Sequence, residues 1–168
     1  MTKKVNLVKV PNNKSEVEED KVQSADVTLT KQGVLNLLST RGFTKLSQNE
    51  VIAAPIKYWL RRFRRELLTI AKGIDEVRMS SLTAISEKDE NGNPKKDKMN
   101  QFVVPPELLS KFEVEFNTLL KENAEFSFRK IVINLSEFPD NVLSASDMND
   151  LEEIVIFIEP EEEEKEGK

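Results

Sequence analysis

Residues 54–88 read APIKYWLRRFRRELLTIAKGIDEVRMSSLTAISEK, and their apolar spacing decides the fold. Ile56, Leu60, Phe63, Leu67, Ile70, Ile74 and Val77 recur at alternating steps of four and three, and Ser81 and Ala84 extend the register with small side chains. That alternation keeps one stripe of a helix facing a neighbour, as in a coiled coil. Pro55 suits the first turn, where its missing N–H has no partner to lose. Gly73 is a weak point, at about 1 kcal/mol relative to alanine. At 1.5 Å per residue the helix is roughly 50 Å long, more than the width of a small domain. It needs a partner along its whole seam, or another chain over part of it.

Downstream, EKDENGNPKKDKMNQ (87–101) reads as a loop connecting helices, with Asn91-Gly92 and Asn93-Pro94 as turn dipeptides. Pro105-Pro106 opens a second helix, expected over 106–122, with Leu109, Phe112, Phe116 and Leu119 at steps of three, four and three. Matching periods predict a long antiparallel helical hairpin. The second helix is about half as long as the first, so part of the seam needs other cover. Further on the period changes. Phe126, Phe128, Ile131 and Ile133 approach alternation and predict a strand or a helix-to-strand passage. Phe138-Pro139 ends it, Ser144 or Ser146 caps a short helix, and Ile154–Ile158 form a compact apolar run read as a second strand. Two strands alone are marginal and must pack on the helices. No internal repeat stands out. The fold class expected is α+β, mostly helical: a long antiparallel helical hairpin with a short C-terminal strand pair and a small helix.

Upstream, Thr30 is a candidate N-cap for a short helix carrying Val34, Leu35, Leu37 and Leu38, with Arg41-Gly42 ending it through a left-handed cap. Residues 44–50 read as a connector in which Ser47 and Glu50 have capping-box spacing. Residues 1–27 form an arm, flexible or ordered on a partner. Val5, Leu7 and Val10 suit a short strand there, and the polar EVEED segment cannot bury enough apolar surface to offset its ordering entropy. Residues 28–160 form a single domain, and residues 161–168, EEEEKEGK, an acidic disordered tail.

Composition narrows the chemistry. The chain has 168 residues, 38% hydrophobic and 33% charged, with a net charge of −5. That balance suits a globular domain with polar tails and does not favour nucleic acid through bulk electrostatics. There is no cysteine and no histidine. Disulfides, thiolate metal sites and the commonest general base are thereby excluded. No apolar run approaches the roughly 20 residues that cross a bilayer, and the N-terminus lacks the apolar core of a signal peptide.

Three groupings remain. The first is a basic cluster on the long helix: Lys57, Arg61, Arg62, Arg64 and Arg65 around Tyr58 and Trp59, the only tyrosine and tryptophan of the chain. At 100° per residue Arg61, Arg62 and Arg65 lie opposite the seam and Arg64 beside it. Three readings stay open: a solvated face paired with Glu66 and other acids, a contact for an acidic protein surface, and a contact for phosphates. The candidate partner-binding residues are Lys57, Trp59, Arg61, Arg62, Arg64 and Arg65. The second grouping is the 87–101 loop, where Asp89, Asn91 and Asn93 alternate as in a calcium loop. The pattern fails downstream, since Gly92 falls at the fourth position from Asp89 and Gln101 stands near where a bidentate glutamate is needed. The third is carboxylates, Glu113 and Glu115, then Asp147, Asp150, Glu152 and Glu153, which read as helix-surface charge. No glycine-rich phosphate loop is present. No cofactor, metal or catalytic residue is expected, and the chain reads as no enzyme.

The order of the long charged helix, EKDENGNP, FVVPPELLSKFEVEFNTLL, IVINLSEFP and LSASDMNDLEEIVIFIEP resembles a group of small, poorly characterised bacteriophage proteins over about 115 residues. The resemblance implies phage origin and an α+β helical-hairpin fold. It implies no activity and no site residues, and the N-terminal arm is longer than it implies. The function expected is a non-enzymatic phage protein-interaction module, a virion or assembly (head or tail) component packing against other subunits. The alternative is a small early phage protein that binds or inhibits a host factor, with a nucleic-acid-binding regulator behind it. Its partners are other phage subunits or a host protein, without a membrane and with a homo-oligomer left open. Its place is the host cytoplasm or the virion.

Overall fold

The computed structural model describes residues 26–48, 52–135 and 142–158. The elements run α1 (Lys31–Ser39), α2 (Arg41–Gln48), α3 (Ala54–Ile85), α4 (Pro106–Lys121), β1 (Ile131–Asn134), α5 (Ala145–Asn149) and β2 (Val155–Ile158). The chain is thus mostly helical with a small sheet. EVEED, the EEEEKEGK tail, Glu50 and Phe138-Pro139 lie outside the described residues.

Local chemistry sets the ends of these elements. Thr30 caps α1, its hydroxyl accepting from the Gly33 N–H at 3.0 Å. Thr40 then serves two helices. Its hydroxyl donates to the Leu37 carbonyl at 2.9 Å, closing α1, and accepts from the Phe43 N–H at 3.3 Å, opening α2. Residues 41–48 are therefore helical. The expectation of a glycine stop at Gly42 and a connector from Thr44 is corrected, because Thr40 supplies the break. Gly42 lies inside α2 for a different reason: an added Cβ would collide with the backbone carbonyl of Asp147, so the absent side chain lets α2 and α5 meet. The long helix begins as expected, with Pro55 in its first turn, and its 32 residues span about 48 Å.

The core sits at the N-terminal half of α3. Leu60, Phe63 and Leu67 are buried against Val34 and Leu37 of α1, Phe43 and Leu46 of α2, and Phe128, Ile133, Leu151, Ile154 and Val155. Phe63 is the hub of an aromatic group, with ring centroids 4.7 Å from Trp59, 5.1 Å from Phe128, 5.8 Å from Phe126 and 6.3 Å from Phe43. An antiparallel ribbon supports it. The Val27 N–H donates to the Phe128 carbonyl at 2.7 Å and the Ala124 N–H to the Leu29 carbonyl at 2.8 Å, which buries Val27 and Leu29.

The antiparallel hairpin is not confirmed. α4 touches α3, but α1 lies against α3 more extensively. Leu120 is the buried residue of α4, while Leu108, Leu109 and Val114 are exposed. The aromatic density at 126–128 and the apolar faces of α1 and α2 cover the first half of the seam, and beyond Ile74 the stripe opens to solvent at Val77. The strand pair exists and is parallel, pairing Ile131 with Val155 through Asn134 with Ile158. Parallel strands require a crossover, and α5 lies on it. Its capping box joins Ser144 and Asp147 in both directions.

The loop after α3 contains a short repeat that composition concealed. Lys88–Pro94 and Lys96–Phe102 form equivalent turns closed by bridges at their ends. In the first, Asp89 Oδ1 accepts from the N–H groups of Asn91 and Asn93 at 2.9 and 2.8 Å. In the second, Asp97 Oδ1 accepts from Met99 and Gln101 at 2.8 and 2.9 Å. Gly92 (φ 81°) and Asn100 (φ 63°) hold the matching left-handed position, one that only Gly and Asn tolerate readily. Three backbone hydrogen bonds close the base in a ring: Glu87 N–H to Val103 O, Val103 N–H to Lys95 O, and Lys95 N–H to Glu87 O, at 2.8, 3.0 and 2.7 Å. The Asp89 oxygen that suggested a calcium ligand serves backbone amides.

Candidate protein-docking site

The basic cluster, residues 57–65, comes from about two and a half turns of α3, and the helix distributes it around its circumference. Arg61, Arg62, Arg64 and Arg65 are all exposed, Lys57 and Trp59 half-buried. Arg62 alone of the four arginines turns toward the aromatic group. Its guanidinium carbon lies 5.4 Å from the Phe128 ring centroid, a cation–π contact. Trp59 stacks on Phe63 at 26° and meets Phe128 edge-on at 5.9 Å. Tyr58, next to it, is 71% exposed.

The segment Ser127–Val132 forms the other wall. One cleft of about 380 Å³ is lined by Pro55, Tyr58, Trp59, Arg62, Ser127, Phe128 and Arg129. A second of about 350 Å³ shares Pro55, Trp59 and Arg129 and continues along Lys130, Ile131 and Val132. The structure therefore brings Trp59 and Arg62 into one site and leaves Arg61, Arg64 and Arg65 outside it. It adds Arg129 and Phe128, which sequence reasoning passed over. The signal was present: in FSFRK the alternation that turns Phe126 and Phe128 inward turns Ser127 and Arg129 outward.

Electrostatics set the site apart. Among the described residues none of Arg61, Arg62, Arg64, Arg65 and Arg129 has an ion-pair partner, so pairing with Glu66 does not explain the face. Lys130 donates through Nζ to the Glu152 carbonyl at 2.8 Å. A guanidinium stays protonated in proteins and presents a fork of donors. The clefts thus offer fixed positive charge, hydrogen-bond donors and ring faces, which suit binding rather than proton transfer.

The buried carboxylate is elsewhere and is structural. Asp147 on α5 receives Lys45 of α2, together with the Ser144 N–H at 2.8 Å and the Ser144 hydroxyl at 2.7 Å. The hydrogen bond from Lys45, then those from Ser144, hold its carboxyl well below the usual carboxylate range. Among the described residues no group of three or more acidic residues is placed to hold a metal ion, and no helix is long and apolar enough to cross a membrane. No family model, no curated protein and no solved structure matches the chain.

Proposed function

We propose that this chain is a non-enzymatic phage protein-interaction module, an assembly or virion component that packs against other subunits through the N-terminal part of α3. One observation carries the reading. The long helix holds four guanidiniums that no described carboxylate neutralises, beside a half-buried indole and a tyrosine ring open to solvent. Unpaired arginines with accessible aromatic rings are the residue types that dominate protein interfaces. The phage assignment rests on the resemblance of residues 54–160. On this reading the exposed apolar positions at the other end, Val77, Leu108 and Leu109, are a second area of subunit contact.

The test is particle composition. Mass spectrometry of purified particles of the encoding virus should find the chain in fixed proportion to the other subunits, and size-exclusion chromatography should show a defined oligomer or complex. A monomer absent from particles refutes assembly. If it captures one dominant bacterial protein, the early host-factor reading replaces it.

A further inference from the structure

The two adjoining clefts at Trp59 narrow the kind of partner. We propose that they take an acidic segment of a partner protein, bound extended, with one bulky apolar side chain on the Trp59 and Phe128 rings and carboxylates on Arg62 and Arg129. This rests on the interaction-module reading and specifies the partner for it.

Size argues for a peptide. Volumes of about 380 and 350 Å³ fall at the lower end of the roughly 300–1,000 Å³ of ligand pockets. Each has room for a side chain or two, and the pair, joined at Pro55, Trp59 and Arg129, suits successive residues of an extended chain. Chemistry argues for an apolar anchor flanked by acids. The floor is indole and phenyl, while Arg62 and Arg129 line the cleft without a carboxylate partner among the described residues. A guanidinium already stacked over Phe128 is held in place, so less side-chain freedom is lost when it takes a carboxylate.

The same geometry argues against nucleic acid. Tight nucleic-acid contacts neutralise about 6–10 phosphates. The helix turns Arg61, Arg64 and Arg65 away from the cleft, which leaves two guanidiniums on it. The net charge of −5 opposes any long polyanion. A short acidic segment meets less of that repulsion, and its apolar anchor binds by a term that repulsion does not touch.

Trp59 is the only tryptophan, so its emission reports the cleft directly. The full chain is titrated with a capped heptapeptide of six glutamates around a central phenylalanine. Three comparison probes are used: the same peptide with central alanine, the same with six lysines, and a thymidylate oligonucleotide of equal charge. The expected result is a saturable shift with the first peptide, at least tenfold weaker binding of the alanine peptide, and weakening as salt rises. Arg62→Glu with Arg129→Glu should reduce affinity at least tenfold. Arg62→Gln should weaken it while retaining the fold, checked by circular dichroism. Arg61→Gln with Arg65→Gln should weaken binding less than Arg62→Gln with Arg129→Gln does, and what it loses should vanish as salt rises. Equal binding of the alanine peptide, or binding of the lysine peptide or of thymidylate as tightly as the first, overturns the proposal. Failure of the titration overturns it whether or not the chain occurs in particles, so the two readings fail separately.

Discussion

The seam of α3 is one pattern in sequence and two environments in structure, and a pair of alanine substitutions separates them. Leu67 is 0% exposed and lies in the aromatic-centred core, while Val77, ten residues on, is 48% exposed. Leu67→Ala removes three fully buried carbons from the core cluster and leaves a cavity there, so its effect belongs in the middle of the observed range, about 3 kcal/mol. Val77→Ala removes two half-exposed methyl groups. At about 0.8 kcal/mol for each fully buried carbon, that loss is under 1 kcal/mol, and the better helix propensity of alanine returns about half of it. Val77→Ala is therefore near neutral, within about 0.5 kcal/mol. For a chain this long, 1 kcal/mol moves the thermal midpoint by about 2–4 °C. Leu67→Ala should lower it by about 6–12 °C and Val77→Ala by about 1 °C. Urea titration followed by Trp59 emission, with calorimetry alongside, measures both on dilute protein. Comparable losses at the two positions would refute the two-environment reading and restore a hairpin in which α4 covers the seam to its end.

Gly42→Ala should destabilise by about 1–3 kcal/mol, because the new Cβ meets backbone of α5 that cannot rotate away; an unchanged melting midpoint would refute the close approach of α2 and α5. Gly73→Ala should do the opposite. Nothing lies within 4 Å of an added Cβ, so an exposed helix interior gains about 0.5–1 kcal/mol, read from the urea midpoint. Asp147 predicts a pH signature. Its folded pKa is depressed, so its stabilisation is present above the unfolded carboxylate value of about 3.9 and is lost as pH falls below that toward the folded value. Asp147→Asn should melt lower than the parent at pH 7, and the two curves should converge on acidification below about pH 4. Parallel curves down to about pH 2.5 would show that Lys45 and Ser144 do not hold the charged form.

Elements announced by local chemistry were legible in the sequence. Pro55 and Pro106 mark their helix starts, Thr30 and Ser144 cap as their spacing implies, and the apolar run at 154–158 becomes β2. What escaped depends on contacts distant in the chain. Gly42 is a C-cap by propensity, but its reason is the Asp147 carbonyl, 105 residues later. Periodicity alone matched α3 to α4, although three other segments compete for the same stripe and occupy its first half. The turn repeat at 88–102 was hidden because its two halves share backbone geometry more than side chains: Gly92 and Asn100 are different residues meeting one φ requirement. Half of the proposed docking site was legible, Trp59 and Arg62. The other half, Phe128 and Arg129, becomes part of it only once the ribbon to Val27 has carried residues 123–129 onto α3.

Phe128 joins the two roles of the long helix. Its ring is 5.1 Å from Phe63 in the core and 5.4 Å from the Arg62 guanidinium at the cleft. Trp59 is likewise half-buried against Phe63 on one face and lines both clefts on the other. The proposed binding surface is therefore the outer side of the core, held by the packing that makes the fold stable. That arrangement divides the arginines by consequence. Arg61, Arg64 and Arg65 are exposed and have no ion-pair partner among the described residues, so their charge acts through solvent as long-range attraction that salt screens. Arg62 lies over a core ring at the cleft, where its charge can act at short range. A partner that uses the cleft engages residues already ordered by folding, and so loses little entropy on the protein side. On the proposed reading, affinity at the cleft depends on the packing of the N-terminal half of α3, and Val77 and Met79 beyond Ile74, which the fold leaves exposed, are open to a separate contact.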